Sequence, residues 1–454
     1  MPDIEIQLPH QFQWRSYQKG LFTAFDKGIN RFFIVWHRRA GKDKACLNFM
    51  ICRAMERTGS YYYLLPTYTQ VKKIIWDGMD ASGFKFMDHI PPELIARKNE
   101  SELKVELING SIIQLLGTDN IDRIVGVNPV GVVFSEYSLQ DPRAYDFYRP
   151  ILNENKGWAL FNGTPRGKNH FFKLYESIKT DPTWYNSILT IDDTHRDGPG
   201  EDGGPVVTTE MVDQDRREGM DDDLIQQEYY CNFAGVQTGS YYGALMVRLE
   251  EDGRLCDVPW NPRLPVFTVW DLGIADAMTV IFAQNDGQMV NIIDYIEKRG
   301  EGLGYFSAEV NRKSYVYSNH YAPHDITSRE LTSGKTRLEL ARDLGLDFRI
   351  APNIAVQDGI DSLRSLFPKL RIDRSKCARL ADCLRSYHKL WDPKNQEYGK
   401  TPVHDWSSHG ADAARYMSLV YDLEYESRHI ETKSVGMADS VWNNPDDGDA
   451  DSVL

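Results

Sequence analysis

Residues 31–43 read Arg31-Phe32-Phe33-Ile34-Val35-Trp36-His37-Arg38-Arg39-Ala40-Gly41-Lys42-Asp43. Residues 31–36 are a short apolar run bounded by charge. A run that short, without alternation, predicts a strand buried on both faces, as in a parallel sheet. The segment after it partly matches the pattern GxxxxGK[ST]. Gly41 and Lys42 are present, but His37 stands at the first glycine and Asp43 at the Ser/Thr position. A strand, a turn exposing backbone N–H groups, a lysine and a helix N-terminus are what a phosphate-binding loop requires. Taken alone, a Gly-Lys pair after a strand also suits an ordinary turn with a solvated lysine.

Further apolar runs lie at 61–66, 112–117, 131–134 and 158–163, with helical stretches at 43–56 and 68–80. Strands alternating with helices predict a parallel sheet with crossover helices. Residues 196–205 (RDGPGEDGGP) read as a flexible loop, and 221–233 as a packed helix. The glycines and prolines of 236–262 mark a linker. Beyond it, 265–270 predicts a strand, and alternation through 277–283 and 288–296 predicts an antiparallel meander. A helix at 301–314, a strand at 317–321 and a helix at 405–422 follow. The expected division is 1–235, linker 236–262, 263–425, and an acidic, flexible tail 426–454.

The 454 residues are 41% hydrophobic and 26% charged, which excludes a collagen-like, low-complexity or wholly disordered chain. No run of about 18 apolar residues is free of charge, so no membrane span is expected. The first residues carry no basic-then-apolar signal pattern. Cys46, Cys52, Cys231, Cys256, Cys377 and Cys383 form no CxxC pair, which points to reduced thiols. The net charge of -14 argues against a dedicated, tight DNA-binding protein but leaves room for an enzyme with local DNA contacts. Residues 423–454 carry eight acids against Arg428 and Lys433, so part of that charge is local.

An ATP-hydrolysing site needs a second half, a buried strand ending in acids. Gly131-Val132-Val133-Phe134-Ser135-Glu136 fits, with Ser135 where aspartate is usual and Glu136 as the group that polarises water. The usual magnesium pair is a hydroxyl after the lysine and an aspartate before the glutamate. Here Asp43 carries the carboxylate and Ser135 the hydroxyl, so the two roles are expected to be exchanged across one magnesium. Asn162-Gly163-Thr164-Pro165-Arg166 follows the next strand, with Thr164 placed to sense the γ-phosphate. Upstream, Gln13-Trp14-Arg15-Ser16-Tyr17-Gln18 offers stacking and an amide for adenine, with Gln18 the candidate, or simply packs.

In this order, the aromatic-plus-Gln segment, HRRAGKD, GVVFSE and NGTPRG resemble the motor domain of the large terminase subunit of tailed bacteriophages. The resemblance implies phosphate contacts from Arg38 and Lys42, within a loop that also holds Arg39 and Gly41. It further implies Glu136 as catalytic carboxylate and Thr164 as the residue coupling hydrolysis to movement. Such motors act as rings in which an arginine completes the neighbour's site. Arg123 is the candidate, with Arg143 and Arg149 as competitors.

Three acids mark the second half. Asp271 closes the strand Val269-Trp270-Asp271, Asp325 follows the strand 316–321, and Asp412 sits one helical turn after His409. An aspartate inside an apolar strand is costly unless it finds a metal or partners. Three such acids can hold two magnesium or manganese ions for phosphodiester cleavage. Read singly, each also suits a structural role, a salt bridge within the helix in the case of Asp412. Asp294 is a candidate extra acid and His324 a candidate orienting group. The order again resembles the large terminase, whose nuclease has a ribonuclease H-like fold.

The expectation is therefore an α/β chain with an N-terminal P-loop ATPase and a C-terminal ribonuclease H-like nuclease. It would use ATP with Mg2+ in the motor site and two Mg2+ or Mn2+, with His409 beside the acids, in the nuclease. The implied partners are double-stranded DNA, a portal protein, a small terminase subunit and further copies of the chain in a ring. The implied location is the host cytoplasm. A DNA-repair helicase–nuclease and a non-enzymatic DNA-binding assembly protein with degenerate sites are the competing readings.

Overall fold

The computed structural model describes residues 6–80, 82–119, 128–197, 203–234, 239–273, 277–329, 334–392 and 397–438. The chain divides into two compact units, Met1–Thr238 and Gly239–Leu454.

The first unit is built on an eight-stranded sheet. Its strands are β1 (Arg31–Trp36), β2 (Ser60–Leu65), β3 (Ile95–Asn99), β4 (Lys104–Leu107), β5 (Ile112–Gly117), β6 (Pro129–Phe134), β7 (Trp158–Asn162) and β8 (Trp184–Leu189). They lie in the order β3-β4-β5-β2-β6-β7-β1-β8. From β5 to β8 every pairing is parallel, while β3 and β4 form an antiparallel extension. Both faces of β1 are covered, which is why its sequence does not alternate. Phe32, Ile34 and Trp36 share a core with Leu47, Phe49 and Met50 of the helix Lys42–Glu56. Phe33 and Val35 turn to the other face, with Tyr145, Phe161 and Phe171. The strand β7 lies between β6 and β1, so the two halves of the expected site are separated by one strand. Its register against β6 is tight. A Cβ on Gly131 would come within 2.4 Å of the Trp158 indole.

The second unit carries a seven-stranded sheet of β9 (Leu255–Cys256), β10 (Val266–Asp271), β11 (Ala277–Asn285), β12 (Val290–Arg299), β13 (Tyr317–Ala322), β14 (Phe348–Ile350) and β15 (Leu370–Asp373). The order is β14-β13-β10-β11-β12-β15-β9. The hairpins β10–β11 and β11–β12 are antiparallel, and β13 runs parallel to β10. This is the ribonuclease H-like arrangement, with the meander on one side of β10 and two parallel strands on the other. Trp270 faces a core with Phe306 and Ala341. Phe267 and Val269 face the opposite core, with Ala411, Ala414 and Met417 of the helix Ser408–Ala438. Asp271, two residues on from Val269, falls by strand alternation on that helix's side.

The structure differs from three of the expected bounds. Residues 236–262 do not read as a bare linker, because Gly243–Glu251 is a helix and β9 joins the sheet. Met246 and Leu249 are buried in the second core, which the surrounding glycines and prolines obscured. The helix that begins at Ser408 runs to Ala438, into the segment expected to be a flexible tail, and residues 439–454 lie outside the described residues. The stretch 68–80 is helical only to Trp76, with a π-helical turn over Lys72–Trp76. Among the described residues, no helix is long and apolar enough to cross a membrane.

Candidate functional site

The expected phosphate loop joins β1 to the helix Lys42–Glu56. Gly41 is the residue before that helix and has φ 77°, in the left-handed region where a side chain is strained. Arg39 also has positive φ (76°). From below, Gln18 Nε2 donates to Ala40 O at 2.9 Å and Tyr17 OH donates to the same oxygen at 3.0 Å. Gln18 Oε1 accepts from Arg15 N, so both ends of the Gln18 amide are engaged within the protein. His37, at the missing glycine, is fully buried. Its Nδ1 donates to Arg38 O, and its Nε2 accepts from Thr194 Oγ1 at 2.7 Å. Burial pushes its pKa down to about 4, with the Lys42 charge adding to the effect.

Lys42 is the hub. Its Nζ lies 3.5 Å from Glu136 Oε1 and donates to Thr164 Oγ1 at 3.3 Å. Burial works against its charge, but the carboxylates of Glu136, Asp43 and Glu228 outweigh it and hold the pKa above the usual lysine range. Glu136 follows β6 in a left-handed conformation (φ 53°), a backbone cost met at sites where a side chain must be aimed. The turn is fixed by Gln140, whose Nε2 donates to Ser135 O and Leu64 O. Asp43 and Ser135 meet directly: Ser135 Oγ donates to Asp43 Oδ1 at 2.6 Å. Thus the loop, both residues of the acidic strand end and the threonine after β7 come together at the carboxyl end of a parallel sheet, where such sheets bind ligands.

Arg38 is exposed and reaches Glu228 Oε2 at 3.7 Å, and Arg166 reaches the other oxygen at 3.3 Å. Arg38 and Arg39 also line an open cavity of about 350 Å³ with Asp215 and Tyr229. Glu228 was missed in the sequence because it ends the acidic helix Asp222–Glu228, where an acid looks solvated, yet it is buried. Arg123 lies outside the described residues. Of its competitors, Arg143 pairs with Asp141 and Arg149 with Asp146.

In the second unit Asp271 ends β10, and its Oδ2 accepts from His409 Nδ1 at 3.4 Å. Burial pushes the Asp271 carboxyl up, and the charges of Asp412 and Asp325 act in the same direction, against the His409 hydrogen bond. Asp271 therefore feels both of the other predicted acids. Each also has a partner of its own. Asp412 Oδ1 accepts from Tyr387 OH at 3.0 Å and from Arg415 Nε at 3.2 Å. Asp325 Oδ2 lies 3.7 Å from Arg337, while its Oδ1 is buried without a hydrogen bond. Arg415, at i+3 from Asp412, was legible as a helix pair, whereas Tyr387 had no sequence signal. Asp294 is held by Lys313 and Tyr315, and His324 is exposed. Among the described residues, no three His, Cys, Asp or Glu side chains stand together so as to grip one ion. The residue types still suit a hard divalent cation, since carboxylate oxygens are its usual ligands and Asp325 Oδ1 has no hydrogen-bond partner.

No family model matches the chain. A curated relative, the terminase large subunit of Escherichia phage T5, is 26% identical over 417 residues, covering 88% of this chain and 89% of that protein. The chain resembles a phage large terminase subunit along most of its length. Among solved structures, the large terminase of a thermophilic bacteriophage in complex with ADP is 14% identical with a TM-score of 0.40, covering 89% of this chain and 98% of that one. The large terminase ATPase domain of Thermus phage P74-26 is 18% identical with a TM-score of 0.39, over 50% of this chain and all of the domain. The cobalt-bound large terminase nuclease of thermophilic phage G20c is 17% identical with a TM-score of 0.29, over 39% of this chain and 97% of that one.

Proposed function

We propose that the chain is the motor of viral genome packaging and carries its own nuclease. ATP hydrolysis in the first unit would drive double-stranded DNA into a procapsid, and the second unit would cut concatemeric DNA. One observation carries the reading: the Lys42 ammonium meets both the Glu136 carboxylate and the Thr164 hydroxyl, a cation, a base and a sensor brought from the ends of three strands to one end of the sheet. The likeness to a terminase large subunit supports it.

In this reading Lys42, Arg38 and the backbone N–H groups before Gly41 bind the phosphates of ATP, with Arg39 beside them. Glu136 orients the attacking water and accepts its proton, and Thr164 responds to the γ-phosphate. Magnesium bound with the nucleotide would be held by Asp43 and Ser135 and would neutralise phosphate charge. The direct Ser135–Asp43 hydrogen bond supports that exchange of roles, since it pairs a hydroxyl with a carboxylate across the same two positions. In the nuclease, Asp271, Asp325 and Asp412 with His409 would hold magnesium or manganese, which would activate water and stabilise the leaving oxygen. His409 would orient Asp271. The partners are a portal protein, a small terminase subunit and further copies of the chain in a ring, in the host cytoplasm, with Arg123 as candidate trans-acting arginine.

The test is cleavage of plasmid DNA with magnesium or manganese, alongside ATP hydrolysis, for the wild type, Glu136→Ala and Asp271→Ala. The expected result is loss of hydrolysis only in Glu136→Ala and loss of cutting only in Asp271→Ala. DNA binding without either turnover would replace the motor reading with a non-enzymatic assembly protein, and strand unwinding would replace it with a helicase–nuclease.

A further inference from the structure

Two tyrosines on β2 point at the same helix and do different things. Tyr61 OH donates to the carbonyls of Arg53 (3.0 Å) and Arg57 (2.6 Å), at the far end of the helix Lys42–Glu56. Tyr63 is fully buried, and its OH donates to Asp43 Oδ1 at 2.9 Å, at the near end. That oxygen also accepts from Ser135 Oγ at 2.6 Å and is reached by Asn162 Nδ2 at 3.5 Å. The donors come from the ends or interiors of three adjacent strands, β2, β6 and β7. All converge on one carboxylate oxygen, and the other stays outside this network.

A carboxylate differs from the hydroxyl usual at this position. It carries a full charge, and taking it out of water costs free energy unless donors replace the solvent. It also has more freedom than a serine hydroxyl, since two torsions set where its oxygens lie. The hydroxyls of Tyr63 and Ser135 on Oδ1 restrict that freedom and so bias where the second oxygen points, and Tyr63 matters the more because Ser135 Oγ also reaches Asn162 Oδ1 at 3.2 Å. The ring of Tyr63 packs in the core as a phenylalanine would, so packing does not call for its hydroxyl.

We propose that Tyr63 is a positioning residue for the magnesium–nucleotide site, its phenol holding the Asp43 carboxylate in the orientation in which Asp43 serves as cation ligand. The inference rests on the motor-site reading above, in which Asp43 and Ser135 exchange roles. It adds that the exchange needs a third residue, supplied by the neighbouring strand β2. Tyr63 is fully buried and bonds Asp43 through its hydroxyl, so as a positioning residue it acts on whatever depends on Asp43.

The experiment measures, in the full chain, the affinity for ADP carrying a fluorescent label on its ribose, with EDTA and with magnesium. The ratio of the two affinities is the readout, for the wild type, Tyr63→Phe, Tyr61→Phe and Asp43→Ala. The expected result is that Tyr63→Phe lowers the magnesium-dependent gain about tenfold, the scale of one hydrogen bond to a charged group. Its affinity in EDTA stays at the wild-type value. The magnesium needed for half-maximal ATP hydrolysis rises in parallel, and excess magnesium restores the rate. Tyr61→Phe, which loses buried hydrogen bonds of its own, changes neither readout. An unchanged ratio in Tyr63→Phe overturns the proposal, and so does a loss of affinity that is equal with and without magnesium, which marks a purely structural role. If Asp43→Ala keeps the wild-type ratio, Asp43 is no cation ligand, and the exchange reading falls together with the proposal.

Discussion

The two sites are assembled by opposite means. In the first unit, Lys42 meets Glu136 and Thr164, and Asp43 meets Ser135, so one cation, two carboxylates and two hydroxyls are already partnered. In the second, Asp271, Asp325 and Asp412 share one sign, and each leans on its own neighbour, His409, Arg337 and the Tyr387–Arg415 pair respectively. A site of mixed charge can close on itself through hydrogen bonds. A site of like charge is held apart by repulsion until a cation offsets it. The lesson is that carboxylates near in space need not be near in coordination.

The sharpest way to break this comparison is to separate the two chemistries. Glu136→Gln is expected to lower ATP hydrolysis about ten-thousandfold, the upper range for a general base, and to leave DNA cutting intact. Loss of both activities would show that the sites are not independent. Asp271→Asn is expected to lower DNA cutting by several kcal/mol of barrier, about a thousandfold, with ATP hydrolysis unchanged. A nuclease indifferent to that change would take Asp271 out of the chemistry.

A smaller effect tests the closed character of the first site through pH. The fold holds His37 neutral with a pKa of about 4, whereas in the unfolded chain it titrates near its ordinary value of about 6.5. Above both values the group contributes no pH dependence. As pH falls through the higher one, the unfolded chain takes up a proton that the fold refuses, so stability declines down to about pH 4 and then levels. The expected loss is at most about 3 kcal/mol across that window. His37→Gln should flatten that part of the curve, read as denaturation midpoints between pH 7 and 4. An unaltered slope would mean that His37 is not the group being excluded from charge. The smallest effect concerns the backbone. Gly41→Ala places a side chain at φ 77° and 3.2 Å from Gln18 Nε2, and about 1–2 kcal/mol of stability is expected to go, measured by urea unfolding.

Much of this was legible in the sequence, for identifiable reasons. The strands β1, β2, β6 and β7 are buried on both faces along nearly all of their length, so each appears as a largely apolar run, whereas β5 alternates and was marked by its apolar residues alone. The antiparallel meander through β11 and β12 was also expected, although β11 is buried along its whole length and does not alternate. By contrast β8 (Trp184–Leu189) is only half-buried along its length, and β3 and β4 are short with exposed charges, so no run marks them. The hub residues Lys42, Glu136 and Thr164 were found because each follows a strand at a sheet end. Tyr63 and Glu228 were not. The first is hidden in the run Tyr61-Tyr62-Tyr63, where three tyrosines read alike, and the second in an acidic helix. In the second unit the three acids were singled out by their positions, but that Asp412 is shared between Arg415 and Tyr387 depends on Tyr387, which lies well outside that helix.

The position of β7 has one more consequence. It is hydrogen-bonded along its length to β6 on one side and β1 on the other, with Phe161 stacked on Phe134 at 4.7 Å. A strand so clamped is a strut and does not bend. Its carboxyl end carries Asn162, against the Asp43–Ser135 pair, and then Thr164, against Lys42. Any displacement that nucleotide chemistry imposes there has no compliant segment behind it to absorb it. In the proposed motor it would pass forwards, through Pro165 and Arg166 towards the helix His170–Ile178. If the proposed motor reading holds, this internal strand would help set the direction in which mechanical work leaves the pocket.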